Sequence, residues 1–189
     1  NFNRHFKHLT AALVPIVEPQ LGDDAEANAR VIRTACAGLL DAWQPASETE
    51  ALKRLLQRLA MDAELVLDLH CDNQAVLHLY TGTPQVAAFA PLAGYLGAQA
   101  LLFADVSGDE PFDESVSRIW WELAAHFQGR FPIDPLGCLA ATVELRGETE
   151  VSHDLAEHDA DALVAFLQHA GHVAGTPPAL PRPCAATPL

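Results

Sequence analysis

Apolar residues recur with two different periods along the chain. Between 24 and 43, Ile32, Cys36, Leu39, Leu40 and Trp43 fall on one side of a helix, which Pro45 ends. Ser47 with Glu50 three residues on is a capping-box pattern, and it opens a second helix. Its stripe of Leu52, Leu55, Leu56 and Leu59 is expected to face the core, with Lys53, Arg54 and Arg58 toward solvent. Residues 10–23, rich in proline and small side chains, read as a loop. Glu64 to His70 is a short apolar run with its polar residues at the end, the pattern of a buried strand in a mostly parallel sheet. Residues 75–81 read as a second extended piece, 85–97 as a helix and 99–105 as a strand. An acidic loop follows over 105–114. Val116, Ile119, Trp120, Leu123 and Phe127 then mark a helix, and 139–145 a strand. Leu163, Phe166, Leu167 and Ala170 stripe a last helix, closed by Gly171.

Strands alternating with helices argue an α/β layered domain. The 189 residues suffice for one core of good size. The tail from Thr176 to Leu189 holds five prolines and no periodicity, and reads as a linker leaving the domain.

The net charge of -14 repels phosphate backbones and argues against a nucleic-acid partner. No apolar stretch reaches the roughly 18 to 20 residues of a membrane span, so no membrane partner is expected. The start, Asn1-Phe2-Asn3-Arg4-His5, is unlike a signal peptide and carries no initiator Met, so it reads as an internal start. Cys36, Cys71, Cys138 and Cys184 form no CxxC pair, which favours reduced thiols and a cytoplasmic location.

Three segments carry candidate chemistry. In Leu67-Asp68-Leu69-His70-Cys71-Asp72, strand alternation puts Asp68, His70 and Asp72 on one face. A histidine beside carboxylates at a strand end is a candidate metal ligand with an orienting partner. A histidine bonded to a loop carbonyl would give the same pattern. In Thr142-Val143-Glu144-Leu145-Arg146-Gly147, Glu144 ends an apolar strand, where a carboxylate is costly unless paired or used. The plain alternative is a solvated strand-end acid. Glu148 is a rival beyond Gly147, in an acidic run expected to be solvated. Asn3-Arg4 offers an amide and a guanidinium fork suited to a carboxylate or an oxyanion.

Taken together and in this order, Asn-Arg, Asp-Leu-His and Thr-x-Glu-x-x-Gly resemble the zinc carboxypeptidase superfamily. Asp68 to Asp72 followed by His78-Leu79-Tyr80-Thr81, and Thr142 to Gly147, are similar to its succinylglutamate desuccinylase/aspartoacylase branch. Ala186-Thr187-Pro188-Leu189 resembles that family's bridge into a C-terminal β-rich domain. The resemblance implies a three-layer α/β/α fold with a mostly parallel mixed sheet. It places an α/β zinc-hydrolase domain, incomplete at its N-terminus, over 1–175, and a linker toward an absent C-terminal domain over 176–189.

The resemblance also implies roles: one Zn2+ per site with His70 as a ligand, Glu144 as the acid/base that activates water, and Asn3 and Arg4 as the substrate-binding pair. The family's other two ligands form a His-x-x-Glu motif, expected upstream of residue 1. Phe2 departs from the commoner aliphatic residue there. The implied activity is hydrolysis of the amide of an N-acyl amino acid or a similar small amide. A catalytically silent binding domain on the same scaffold, or a zinc carboxypeptidase or cell-wall peptide amidase, is the alternative. The implied partner is a small molecule, and homo-oligomerisation is left open.

Other polar and aromatic residues read as structural. Trp120 is expected in the core. His5, His8, His126, His153, His158, His169 and His172 show no convincing metal spacing, and the acids from Glu148 to Asp161 read as a solvated face. Cys71 follows the candidate ligand, but strand alternation turns it away.

Overall fold

The computed structural model describes residues 2–189. Leu9, Leu13 and Val17 lie four residues apart and are almost fully buried, and they make residues 10–17 a helix rather than the expected loop. This helix, α1 (Thr10–Val17), contains Pro15. A proline in a helix interior costs about 3 kcal/mol. Burying each large apolar side chain of the stripe returns roughly 1.5–3 kcal/mol, so packing outweighs the propensity that suggested a loop. The helix α2 (Ala25–Ala42) starts where Asp24 accepts a hydrogen bond from the Ala27 amide, and it buries Ile32, Cys36 and Leu40 as expected.

The next helix, α3 (Glu48–Ala60), begins at the expected cap. Ser47 Oγ accepts from the Glu50 amide, and the Glu50 carboxylate accepts from Ala46 N. Its expected faces are exchanged, however. Lys53, Gln57 and Ala60 are buried, whereas Leu52, Leu55 and Leu59 are exposed. The reason is specific hydrogen bonding: the ends of Lys53 and Gln57 reach backbone groups of the chain near Arg4 and Lys7. A periodicity count weighs oil and water, and it cannot see those partners.

The chain divides into two units, one of residues 1–66 and 106–140, the other of 67–105 and 141–189. The first contains α1, α2, α3 and α5 (Phe112–His126), packed around Leu13, Val17, Ile32, Leu40, Ile119 and Trp120. Trp120 is core, as expected. It packs so closely on the backbone of Gly137 that a Cβ there would collide with the indole. Arg33 ties the same region together through the carbonyls of Met61, Ala63 and Gly137.

The sheet has the order β1-β4-β2-β3-β5, with β1 (Leu65–Asp72), β2 (His78–Gly82), β3 (Ala100–Ala104), β4 (Leu139–Gly147) and β5 (Ala186–Pro188). Parallel pairing joins β2 to β3 and β3 to β5, and β2 runs antiparallel to β4. The α/β class is as the alternation predicts, and the mixed, mostly parallel sheet is as the resemblance implies. The strand β1 is not the buried strand expected. It stands first in the order, is partly exposed along its length, and leaves Leu69 49% exposed.

In the second unit α4 (Val86–Leu96) and α6 (His153–His169) pack on each other, with Phe89, Leu92, Leu79, Leu101, Val143 and Phe166 buried. The buried residues of α6 are Asp159, Ala162, Ala165 and Phe166; of the expected stripe Phe166 is buried, Leu163 and Leu167 are half-buried and Ala170 is exposed. The proline-rich tail differs from a plain linker. Tyr95 donates to Pro178 O, Gly94 lets the backbone of Pro181 approach, and the tail then pairs with β3 as β5. Pro188 has no amide to donate, which an outermost strand tolerates.

Candidate active site

The second unit brings His70 and Glu144 together on the neighbouring strands β1 and β4. His70 Nε2 lies 2.9 Å from Asp68 Oδ2, and His70 Nδ1 lies 4.0 Å from Glu144 Oε1. The two-residue repeat of an extended strand is what puts Asp68 and His70 on one face. All three side chains are largely shielded, with 20%, 29% and 16% exposure for Asp68, His70 and Glu144.

Antiparallel pairing sets His78 opposite Glu144. His78 is buried, with Nδ1 at 2.8 Å from Val76 O and Nε2 at 3.2 Å from the Tyr80 hydroxyl. Burial pushes the Glu144 carboxyl above its usual range. The nearby histidines His70 and His78 oppose that shift, and Asp72 and Asp68 add to it. Glu144 Oε2 is buried and has no hydrogen-bond partner among the described residues. A buried acceptor left unmatched is costly. An acid held with a raised affinity for protons and one unengaged oxygen is suited to proton transfer.

Immediately after Glu144 the backbone is strained. Arg146 adopts φ +94°, a region that a non-glycine residue rarely occupies. Its guanidinium makes a two-point pair with Asp159 of α6, at 2.8 and 2.7 Å. Asp159 therefore departs from the solvated face expected for the acids of 148–161. Glu148 is exposed as expected, and Gly147 N donates to Glu150. An open cavity of about 580 Å3 lies here, bordered by His70, Cys71, Arg146, Glu148, Leu155 and Asp159 among others. The Arg146–Asp159 pair is not legible in the sequence. Its signal is weak, an arginine and an aspartate 13 residues apart with nothing local to connect them.

Asn3 and Arg4 belong to the first unit. Asn3 Oδ1 accepts from the Phe112 amide at the start of α5, and Asn3 O accepts from Arg4 Nη1. No carboxylate among the described residues pairs with Arg4, and its side chain is partly exposed. Among the described residues no group of three or more His, Cys, Asp or Glu is placed to hold a metal ion. What the chain does present is one histidine whose second ring nitrogen is engaged by a carboxylate, the arrangement that orients a single metal ligand. No helix among the described residues is long and apolar enough to cross a membrane.

No protein-family model and no curated protein matches the sequence. Solved structures do. One from Shewanella frigidimarina NCIMB 400, provisionally described as a succinylglutamate desuccinylase/aspartoacylase, superposes with a TM-score of 0.80 at 23% identity, over 100% of this chain and 51% of that one. A second, from Shewanella amazonensis SB2B and similarly described, gives 0.77 at 23% identity, over 100% and 52%. The ectoine utilization protein EutE (DoeB) from Ruegeria pomeroyi, in its product-bound form, gives 0.54 at 19% identity, over 78% and 42%. The chain spans about half the length of the structures it matches. The chain therefore has the fold of the succinylglutamate desuccinylase/aspartoacylase structures, along about half of their length.

Proposed function

We propose that this chain is part of a zinc-dependent deacylase of the succinylglutamate desuccinylase/aspartoacylase family, one that hydrolyses the amide bond of an N-acyl amino acid or a similar small amide. The observation that carries the reading is the group of Asp68, His70 and Glu144, with the raised proton affinity of Glu144 and its unmatched oxygen. The shared fold supports it.

In this reading His70 Nδ1 is one ligand of a single Zn2+, and Asp68 orients the ring from the other side. The remaining ligands come from polypeptide outside these 189 residues. When bound, zinc lowers the pKa of a water to about 7 and polarises the scissile carbonyl. Glu144 takes the proton from the attacking water and returns it to the leaving amine. Arg4, with Asn3 beside it, engages the substrate carboxylate or the developing oxyanion. The protein works in the cytoplasm on a small molecule.

Metal analysis of the intact protein tests the reading. Wild type is expected to carry one zinc and His70→Ala to lose it, and unchanged stoichiometry in the variant would sink the assignment. Turnover of a panel of N-acylated amino acids, set against short peptides, separates a deacylase from a peptidase. No turnover of either class would favour a silent binding domain.

A further inference from the structure

We infer that Lys53 is a positioning residue for Arg4, so that a substrate carboxylate is gripped through a lysine that never touches it. The inference rests on the substrate role proposed for Arg4. Residues 5–9 have no regular secondary structure, so their backbone groups need partners from elsewhere. Two elements of the same unit supply them. The loop before α5 accepts from His5 N through Asp109 O at 2.6 Å, and from Phe6 N through Glu110 O at 3.1 Å. From α3, the Gln57 amide closes on Lys7 from both sides, accepting from its N at 3.1 Å and donating to its O at 2.7 Å. Asn3 is fixed by its bond from Phe112 N. His5 is held at φ +62°, in the left-handed region. Arg4 thus lies between anchored neighbours, and its own carbonyl is taken by Lys53 Nζ at 2.6 Å.

Lys53 is an unusual residue to bury. It is 6% exposed, and among the described residues no acid forms an ion pair with it. The rings of Phe2 and Phe6 lie 5.8 and 5.7 Å from its ammonium. Aromatic faces stabilise a cation without neutralising it. Core packing alone would favour one of the leucines that α3 exposes. The group that Lys53 does serve is the carbonyl of the residue whose guanidinium fork must be aimed. A two-point grip on a carboxylate depends on that aim, because a fork that wanders makes one bond in place of two.

The test is kinetic and uses the intact protein with two substrates. One is the N-acyl amino acid it turns over best, with a free carboxylate, and the other is the same compound as a carboxamide. Lys53→Met keeps the apolar stem and removes the donor. It is expected to raise KM for the carboxylate roughly tenfold, the worth of one charged hydrogen bond, with kcat and the carboxamide KM unchanged. Lys53→Arg, which restores a donor, should recover most of the loss. In an Arg4→Ala background, Lys53→Met should add nothing. An equal loss on both substrates, or a fall in kcat alone, would overturn the inference. If Arg4→Ala itself leaves the carboxylate KM unchanged, the substrate role of Arg4 falls and takes that of Lys53 with it. Should Lys53→Met fail to melt cooperatively, Lys53→Leu, which also lacks a donor and suits an apolar site, is measured the same way and read by the same ratio of the two KM values.

Discussion

Asp159 takes both arms of the Arg146 guanidinium, at 2.8 and 2.7 Å, and so ties the strained end of β4 to α6. The pair is largely shielded, with 14% and 11% exposure. Removing one partner of such a pair leaves the other charge uncompensated, a loss of about 3 kcal/mol or more. Asp159→Ala is therefore expected to lower the urea midpoint clearly, whereas Asp161→Ala, on the exposed side of the same helix, should change it little. Equal midpoints for the two variants would show that the pair contributes nothing.

Glu144, and not Glu148, is expected to be the general base. Glu144→Gln keeps shape and removes the proton acceptor, so turnover should fall by roughly 10²–10⁴-fold while zinc stays bound. Glu148 is exposed and lies in the turn that follows β4, so Glu148→Gln should leave turnover nearly intact. The reverse outcome would overturn the assignment at this strand.

The four thiols should separate by reactivity. Burial pushes both Cys36 and Cys138 up to about 12, so neither is a thiolate at neutral pH. Cys71 is exposed and Cys184 partly so. A disulfide-exchange reagent at about pH 8 should label Cys71 first and Cys184 next, and reach Cys36 and Cys138 only on unfolding. Labelling of Cys36 in the folded protein at the rate of Cys71 would contradict its buried position.

Acid stability should depend on Glu122. Burial pushes its carboxyl up, but hydrogen bonds from Thr10 and His8 and the charges of His8 and Arg118 together outweigh that, and hold it below the usual range. A carboxyl whose folded pKa is depressed contributes stability that is present above the unfolded pKa and is lost as pH falls through the folded one. Glu122→Gln should thus be less stable than wild type near neutrality, and the gap should narrow in acid. Unfolding curves from about pH 7 down to about pH 3 measure it. A gap constant across that range would mean that ionisation of Glu122 does not contribute.

The pattern of apolar residues sets the element types wherever its period is long and unopposed. The faces of α2 and α5, the cap at Ser47 and the strands around His70 and Glu144 are of this kind, because local backbone geometry and hydrophobic period point the same way there. The sequence also sets Asp68 and His70 on one face, since a strand alternates strictly. Tertiary structure decided what depends on partners distant in the chain. Pro15 is helical because Leu9, Leu13 and Val17 are buried together. Lys53 and Gln57 turn inward because backbone groups at Arg4 and Lys7 wait for them. The prolines of the tail end in a strand because β3 offers it a pairing edge. The approach of Glu144 to His70 also belongs to the tertiary structure, because the two lie 74 positions apart in the chain and only the order of the strands closes that distance.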